Sequence, residues 1–241
     1  MIHPQPAQAQ RLRPWPLPGL RLLVAIALLI AALLLPAPIA AVAASGPALD
    51  SIATAGTTEE AVFAGGCFWC LEHDLEHLPG VLDAVSGYSG GSLANPSYRQ
   101  VSAGGTGHQE AVRVRFDPAR LSYATLLRAY WRNVDPLDGG GQFCDRGSSY
   151  QPVIFSAAGQ LDQARASLRA AARELGQSDA ALQVQIRPLQ SFWPAENYHQ
   201  NYAEHNALKY RYYRWACGRD QRLDAVWGQR ARSSRPWAVP A

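Results

Sequence analysis

Ala61-Val62-Phe63-Ala64 runs into two glycines and then into Cys67-Phe68-Trp69-Cys70, where a helical pattern begins. This junction constrains the chain more than any other segment. The unbroken apolar run predicts a short strand buried on both faces. Leu71, Leu75 and Leu78 share one stripe of a helix over 67–78, which Pro79-Gly80 stops. Cys67 therefore stands at a helix N-terminus, where unpaired N–H groups and the helix dipole favour a thiolate. With Phe68 and Trp69 as apolar neighbours, the pattern points to a redox or nucleophilic thiol enzyme.

Further along, 81–88 and 111–116 read as strands, the second alternating Val112, Val114 and Phe116 with Arg113 and Arg115. Ser122 caps a helix to about Asn133, with Leu126, Leu127, Tyr130 and Trp131 on its apolar face. Strands follow at 152–155 and 184–186, around an alanine-rich amphipathic helix over 161–175. The glycine-rich stretch 135–150 reads as irregular, and 192–215 is aromatic and contains histidines. Strands and helices mingle without a clean βαβ repeat, so an α+β fold is expected.

Arg11, Arg13 and Arg21 precede an apolar run over 22–35, broken by Pro36 and Pro38 and followed by Ala41-Val42-Ala43-Ala44. That is the layout of a secretory signal peptide over 1–44, with an uncleaved membrane anchor as the alternative. A linker over 45–59, one domain over 60–228 and a basic, loosely ordered tail over 229–241 complete the division. The expected address is periplasmic or otherwise extracytoplasmic. The formal charge is +3, and residues 1–44 hold three arginines and no acid, so the remainder is neutral. A balanced charge argues against nucleic acid as a partner.

Cys67, Cys70, Cys144 and Cys217 would enter an oxidising compartment. A domain of this size does not need disulfide staples, so catalytic use of the thiols is favoured over two structural bridges. Met1 is the only methionine, which suits exposure to oxidants.

Gly66-Cys67-Phe68-Trp69 with Glu72 resembles the active-site signature of the peptide methionine sulfoxide reductase A family. Further segments fall in that family's order and spacing. They are Gly87-Tyr88-Ser89-Gly90-Gly91, Asn95-Pro96-Ser97-Tyr98, Gly105-Thr106-Gly107-His108 with Glu110, and Phe116-Asp117-Pro118. Asp135-Pro136, Asp145 with Gly147 and Tyr150, and Tyr198-His199-Gln200 with Tyr202 continue the series. The resemblance implies a ferredoxin-like α/β plait core with long loops and no bound cofactor or metal. It implies reduction of methionine S-sulfoxide, free or in oxidised proteins, through a sulfenic acid on Cys67. An intramolecular disulfide then forms, and a thioredoxin-type dithiol reduces it.

Phe68 and Trp69 resemble the family's pocket for the substrate methyl group, while Tyr88, Tyr150 and Asp145 match its polar residues. Many members carry a glutamate in Tyr-x-Glu-Val as proton donor, where this chain has Tyr98-Arg99-Gln100-Val101. The proton source then falls to Tyr88, Tyr150, water, or a carboxylate such as Glu110 or Glu72, with Gln100 orienting the oxygen. Cys217, followed by Gly218, is the first choice for the resolving thiol, then Cys70, then Cys144. Two other readings compete. A thioredoxin-like disulfide oxidoreductase would use the Cys67-x2-Cys70 pair. A zinc module would use that pair with His73-x3-His77, but the gap of two residues is too short to wrap a metal, and the histidines read as the helix's polar face.

Overall fold

The computed structural model describes residues 57–237, so the signal or anchor segment expected over 1–44 lies outside the described residues. Eight strands occur there: β1 (Glu59–Ala64), β2 (Val81–Ser89), β3 (Gln109–Phe116), β4 (Gly141–Gln142), β5 (Asp145–Arg146), β6 (Val153–Ser156), β7 (Gln185–Pro188) and β8 (Phe192–Pro194). Six of them form one sheet in the order β7-β6-β1-β3-β2-β8. Only β6 and β7 pair in parallel. The helices are α1 (Phe68–Glu76), α2 (Tyr98–Ser102), α3 (Tyr123–Trp131), α4 (Leu161–Glu174), α5 (Tyr202–His205), α6 (Ala207–Ala216) and α7 (Arg219–Trp227). The α+β class is borne out.

The periodicities explain the layers. Phe63 of β1 and Val112, Val114 and Phe116 of β3 share a buried cluster with Leu71 and Leu75 of α1 and with Leu126, Leu127, Tyr130 and Trp131 of α3. Phe63 stacks on Tyr130 with ring centroids 4.7 Å apart. On the opposite face of β1, Val62 and Ala64 meet Ala111, Val153 and Phe155, and Leu189 and Phe192 cover them. β1 is thus buried on both sides, as its unbroken apolar run requires. Truncating a side chain as enclosed as Phe63 to alanine costs about 3–5 kcal/mol.

Three elements depart from the sequence reading. α1 stops at Glu76 with His77 as its C-cap, because the Leu78 N–H already turns back to the Leu75 carbonyl at 3.2 Å. Within 135–150, β4 and β5 form a hairpin whose turn holds Phe143, at φ 55°, and Cys144. Strands of two residues have no periodicity to read. β8 was hidden in the aromatic stretch and pairs with the end of β2.

The tail expected to be loose is tied down as far as residue 237. Arg132 is fully buried and donates to the carbonyls of Ser233, Arg235 and Pro236 at 3.4, 2.6 and 3.3 Å. It also pairs with Glu174 at 2.9 Å, and Trp237 lies 5.0 Å over the guanidinium. A buried guanidinium needs acceptors for its N–H groups, and the tail backbone supplies them.

Candidate active site

β1 feeds directly into the site. A Cβ on Gly66, at φ +82°, would lie 2.7 Å from Cβ of Gln142, and one on Gly65 would lie 2.7 Å from Cγ1 of Val134. Only a chain without side chains passes here. The Tyr130 hydroxyl anchors the turn by donating to the Ala64 carbonyl at 2.9 Å.

Cys67 is the N-cap of α1 but makes no side-chain cap. The orphan N–H groups of the first turn go to two carboxyls from elsewhere in the fold. Glu110 Oε2, on β3, accepts the Phe68 N–H at 3.0 Å, and Asp145, on β5, accepts the Cys67 N–H. The thiol is buried, with the Cys70 thiol among its neighbours.

These neighbours reverse the expected thiolate. Burial pushes the Cys67 thiol well above its ordinary range, and Cys70, Glu110 and Asp145 push the same way. The helix N-terminus favours negative charge, but carboxyls already occupy it. Burial also raises Glu110, to about 8, although the Phe68 N–H opposes the shift. At neutral pH the site therefore holds a thiol and a carboxylic acid side by side. Burial raises Asp145 too, against the hydrogen bond it accepts from the Tyr213 hydroxyl at 2.6 Å.

Cys67, Phe68, Trp69, Tyr98, Glu110, Asp145, Tyr150 and Tyr213 line a cavity of about 80 Å³. Ordinary ligand pockets hold roughly 300–1,000 Å³, so this one takes only a small group. Tyr202 stacks on Trp69 at 3.7 Å with the rings 6° from parallel, and the indole N–H donates to His199 Nδ1 at 3.0 Å. The aromatic wall is held rigid from behind.

A family model described as peptide methionine sulfoxide reductase matches residues 59–231. The chain belongs to that family. It is 53% identical over 192 residues to peptide methionine sulfoxide reductase MsrA 2 of Caulobacter vibrioides, covering 80% of this chain and 95% of that one. It is 46% identical over 176 residues to the MsrA/MsrB protein of Vibrio cholerae, covering 73% of this chain and 46% of that one. Methionine sulfoxide reductase A of Corynebacterium diphtheriae superposes with a TM-score of 0.59 at 30% identity, over 63% of this chain and 76% of that one. Reduced Mxr1 from Saccharomyces cerevisiae gives 0.59 at 25% identity, over 62% and 86%.

In this reductase the fold gathers Cys67, Phe68, Trp69, Glu110, Asp145 and Tyr150 around one cavity. It does not bring the other three expected residues there. The Tyr88 ring lies behind Phe68, centroids 5.9 Å apart, and its hydroxyl donates to Glu196 at 2.9 Å. Gln100 is exposed, and its Oε1 accepts from the N–H and hydroxyl of Ser97 at 2.9 Å each, capping α2. Glu72 accepts from the Ser86 hydroxyl at 2.9 Å and the Asn201 N–H at 3.3 Å. Tyr98 and Tyr213 line the pocket without having been expected there. Tyr98 stood two residues from Gln100 in a quoted motif, whereas nothing local singles out Tyr213 among its aromatic neighbours.

The thiols divide into two pairs. Cys67 and Cys70 are free, while Cys144 and Cys217 form a disulfide. That bond joins the β4–β5 turn to the C-cap of α6. It adjoins the pocket, because Asp145 faces Cys67 while its Oδ2 lies 4.0 Å from the Cys217 sulfur.

Proposed function

We propose that this reductase returns methionine S-sulfoxide, free or in oxidised proteins, to methionine. The observation that carries the reading is that the Cys67 thiol and the Glu110 carboxyl line one small aromatic cavity, where burial raises the carboxyl to about 8. The substrate methyl group packs against Phe68 and Trp69. The sulfoxide oxygen takes hydrogen bonds from Glu110 and the Tyr98 and Tyr150 hydroxyls. Glu110 protonates that oxygen as Cys67 sulfur attacks the sulfoxide sulfur, and the proton displaced from Cys67 restores the carboxyl. The oxygen ends on Cys67 as a sulfenic acid and methionine leaves, two electrons richer.

Cys217 then attacks the sulfenic acid, forming a Cys67–Cys217 disulfide and water. Cys144 attacks the Cys217 sulfur, which frees Cys67 and leaves Cys144–Cys217 as the disulfide. Support for this order comes from the observed Cys144–Cys217 bond and from Cys144 being exposed. A thioredoxin-type dithiol takes up the oxidation by exchange and regenerates both thiols. Cys70, one helical turn from Cys67 and likewise a free buried thiol, is the alternative resolving group.

The same reading extends to the fold and the address. The order β6-β1-β3-β2, with α1 and α3 as crossovers, supports a ferredoxin-like plait as the core. Residues 1–44 act as a signal peptide, or an anchor if uncleaved, and carry the 60–228 domain to the periplasm. The charged, apolar and small-residue layout of that segment supports export.

The test is dithiothreitol-driven reduction of separated S and R epimers of a blocked methionine sulfoxide. Activity on S alone, lost in Cys67→Ser, is expected. Activity on R, or full activity in the variant, overturns the reading, and reduction of insulin disulfides without sulfoxide reduction favours the oxidoreductase alternative. For the relay, Cys217→Ser should yield one methionine per enzyme and no thioredoxin-driven turnover. Cys144→Ser should accumulate Cys67–Cys217, seen by peptide mapping. Full turnover by Cys217→Ser transfers the role to Cys70.

A further inference from the structure

We infer that His73, His77 and Glu204 form a site for a divalent transition-metal ion, with zinc as the first candidate, joining α1 to α5. The three side chains lie outside the pocket, on the solvent side of the helix that Cys67 caps. His73 and His77 stand one turn apart, with ring centroids separated by 4.7 Å. Glu204 Oε1 comes from α5, 3.3 Å from His73 Nδ1 and 3.9 Å from His77 Nε2. All three ligand atoms lie within 4.8 Å of one another. A tetrahedral zinc ion with bonds of roughly 2.0–2.1 Å to nitrogen and oxygen has ligand-to-ligand edges of about 3.3–3.4 Å. Small side-chain adjustments bring the set to that spacing.

A second observation points to a ligand. His77 Nδ1 lies 2.8 Å from the His73 carbonyl oxygen, and because a carbonyl can only accept, Nδ1 carries the hydrogen. The tautomer is thereby set, and Nε2 turns towards a carboxylate oxygen. A backbone carbonyl holding one ring nitrogen while the other faces the metal is the usual support for a ligating histidine. His77 and Glu204 are exposed to 61% and 42%, so the space between Nε2 and the carboxylate oxygen is open to an ion from solution. The remaining coordination positions open to solvent.

The other grouping of donors among the described residues, Cys144, Asp145 and Cys217, offers no thiolate while its two sulfurs are bonded to each other. Glu204 sits on a helix of only four residues, preceded by Asn201 at φ 49°. Its first residue, Tyr202, is the ring stacked on Trp69. An ion at this site staples the outer support of the pocket wall to the helix beneath it.

The experiment is calorimetric titration of the oxidised full chain with zinc chloride. One equivalent should bind, weakened about tenfold or more in His77→Ala and in Glu204→Gln. Cobalt in place of zinc should show d–d absorption without a thiolate charge-transfer band. Zinc should slow hydrogen exchange over 201–206 in the wild type and not in either variant. Absence of stoichiometric binding, equal binding in both variants, or a thiolate band would each overturn the site and leave the cluster as a hydrogen-bonded histidine–carboxylate contact. Because none of the three side chains lines the pocket and every readout is of binding or exchange, none of these results depends on the reductase reaction.

Discussion

Glu110 enters the site from β3 opposite Tyr88, and one carboxyl both accepts the Phe68 N–H and faces the pocket. Glu110→Gln keeps the acceptor and loses the acid. Single-turnover methionine formation should slow by roughly 10²–10⁴-fold, and the wild-type decline as pH rises through about 8 should disappear from the variant. Because the folded carboxyl is raised from 4.5 to about 8, its contribution to stability is complete below the unfolded value. It is lost as pH rises through the folded one. The variant should therefore melt higher than the wild type at about pH 9 and no higher at about pH 4. A pH limb surviving in the variant would assign the proton to another group. Gln100→Glu is the comparison, since glutamate also completes a capping box, and its turnover and pH profile should match the wild type. Tyr98 and Gln100 are adjacent in one motif, yet two residues along a helix is a rotation of about 200°. One faces the pocket and the other faces solvent, which the motif alone does not reveal.

α7 braces the β1–α1 turn through Arg219, which is buried and lies 4.4 Å over the Phe143 ring. It donates to the carbonyls of Asn133 at 2.7 Å and Gly65 at 3.3 Å, and its Nε lies 3.6 Å from Asp74. Helix, β1–α1 turn and β4–β5 hairpin meet on this one guanidinium. Arg219→Met should cost about 3 kcal/mol or more, because it strands buried acceptors. That corresponds to a fall in Tm of roughly 6–12 °C. A calorimetric shift of a degree or two would show that the turn stands without it. The segment Gly218-Arg219-Asp220-Gln221-Arg222 carries no sign that Arg219 is buried while Arg222 is half exposed. The distinction depends on what α7 packs against, not on its composition.

Across the molecule, the C-terminal third wraps back over the sheet and meets the site at three places. These are the Cys144–Cys217 disulfide, Tyr213 against Asp145, and Tyr202 against Trp69. The final segment closes over Arg132 instead. Deleting 233–241 should lower Tm and leave dithiothreitol-driven reduction of the S epimer unchanged at 25 °C. Equal melting temperatures would mean that water replaces the tail carbonyls without loss. The alternation of β3, the stripe of α1, the cap at Ser122 and the Gly66-Cys67 junction could all be read before folding, because each depends on neighbours a few residues away. The same local pattern put Cys67 at the start of α1. It could not give that thiol's protonation state, because Glu110 and Asp145 reach the N-terminus of α1 from strands 43 and 78 positions down the chain. Nor could it pair the thiols or separate Tyr98 from Tyr88. Those outcomes depend on strand register and on the burial created when distant segments close over one another, and burial sets which charges survive.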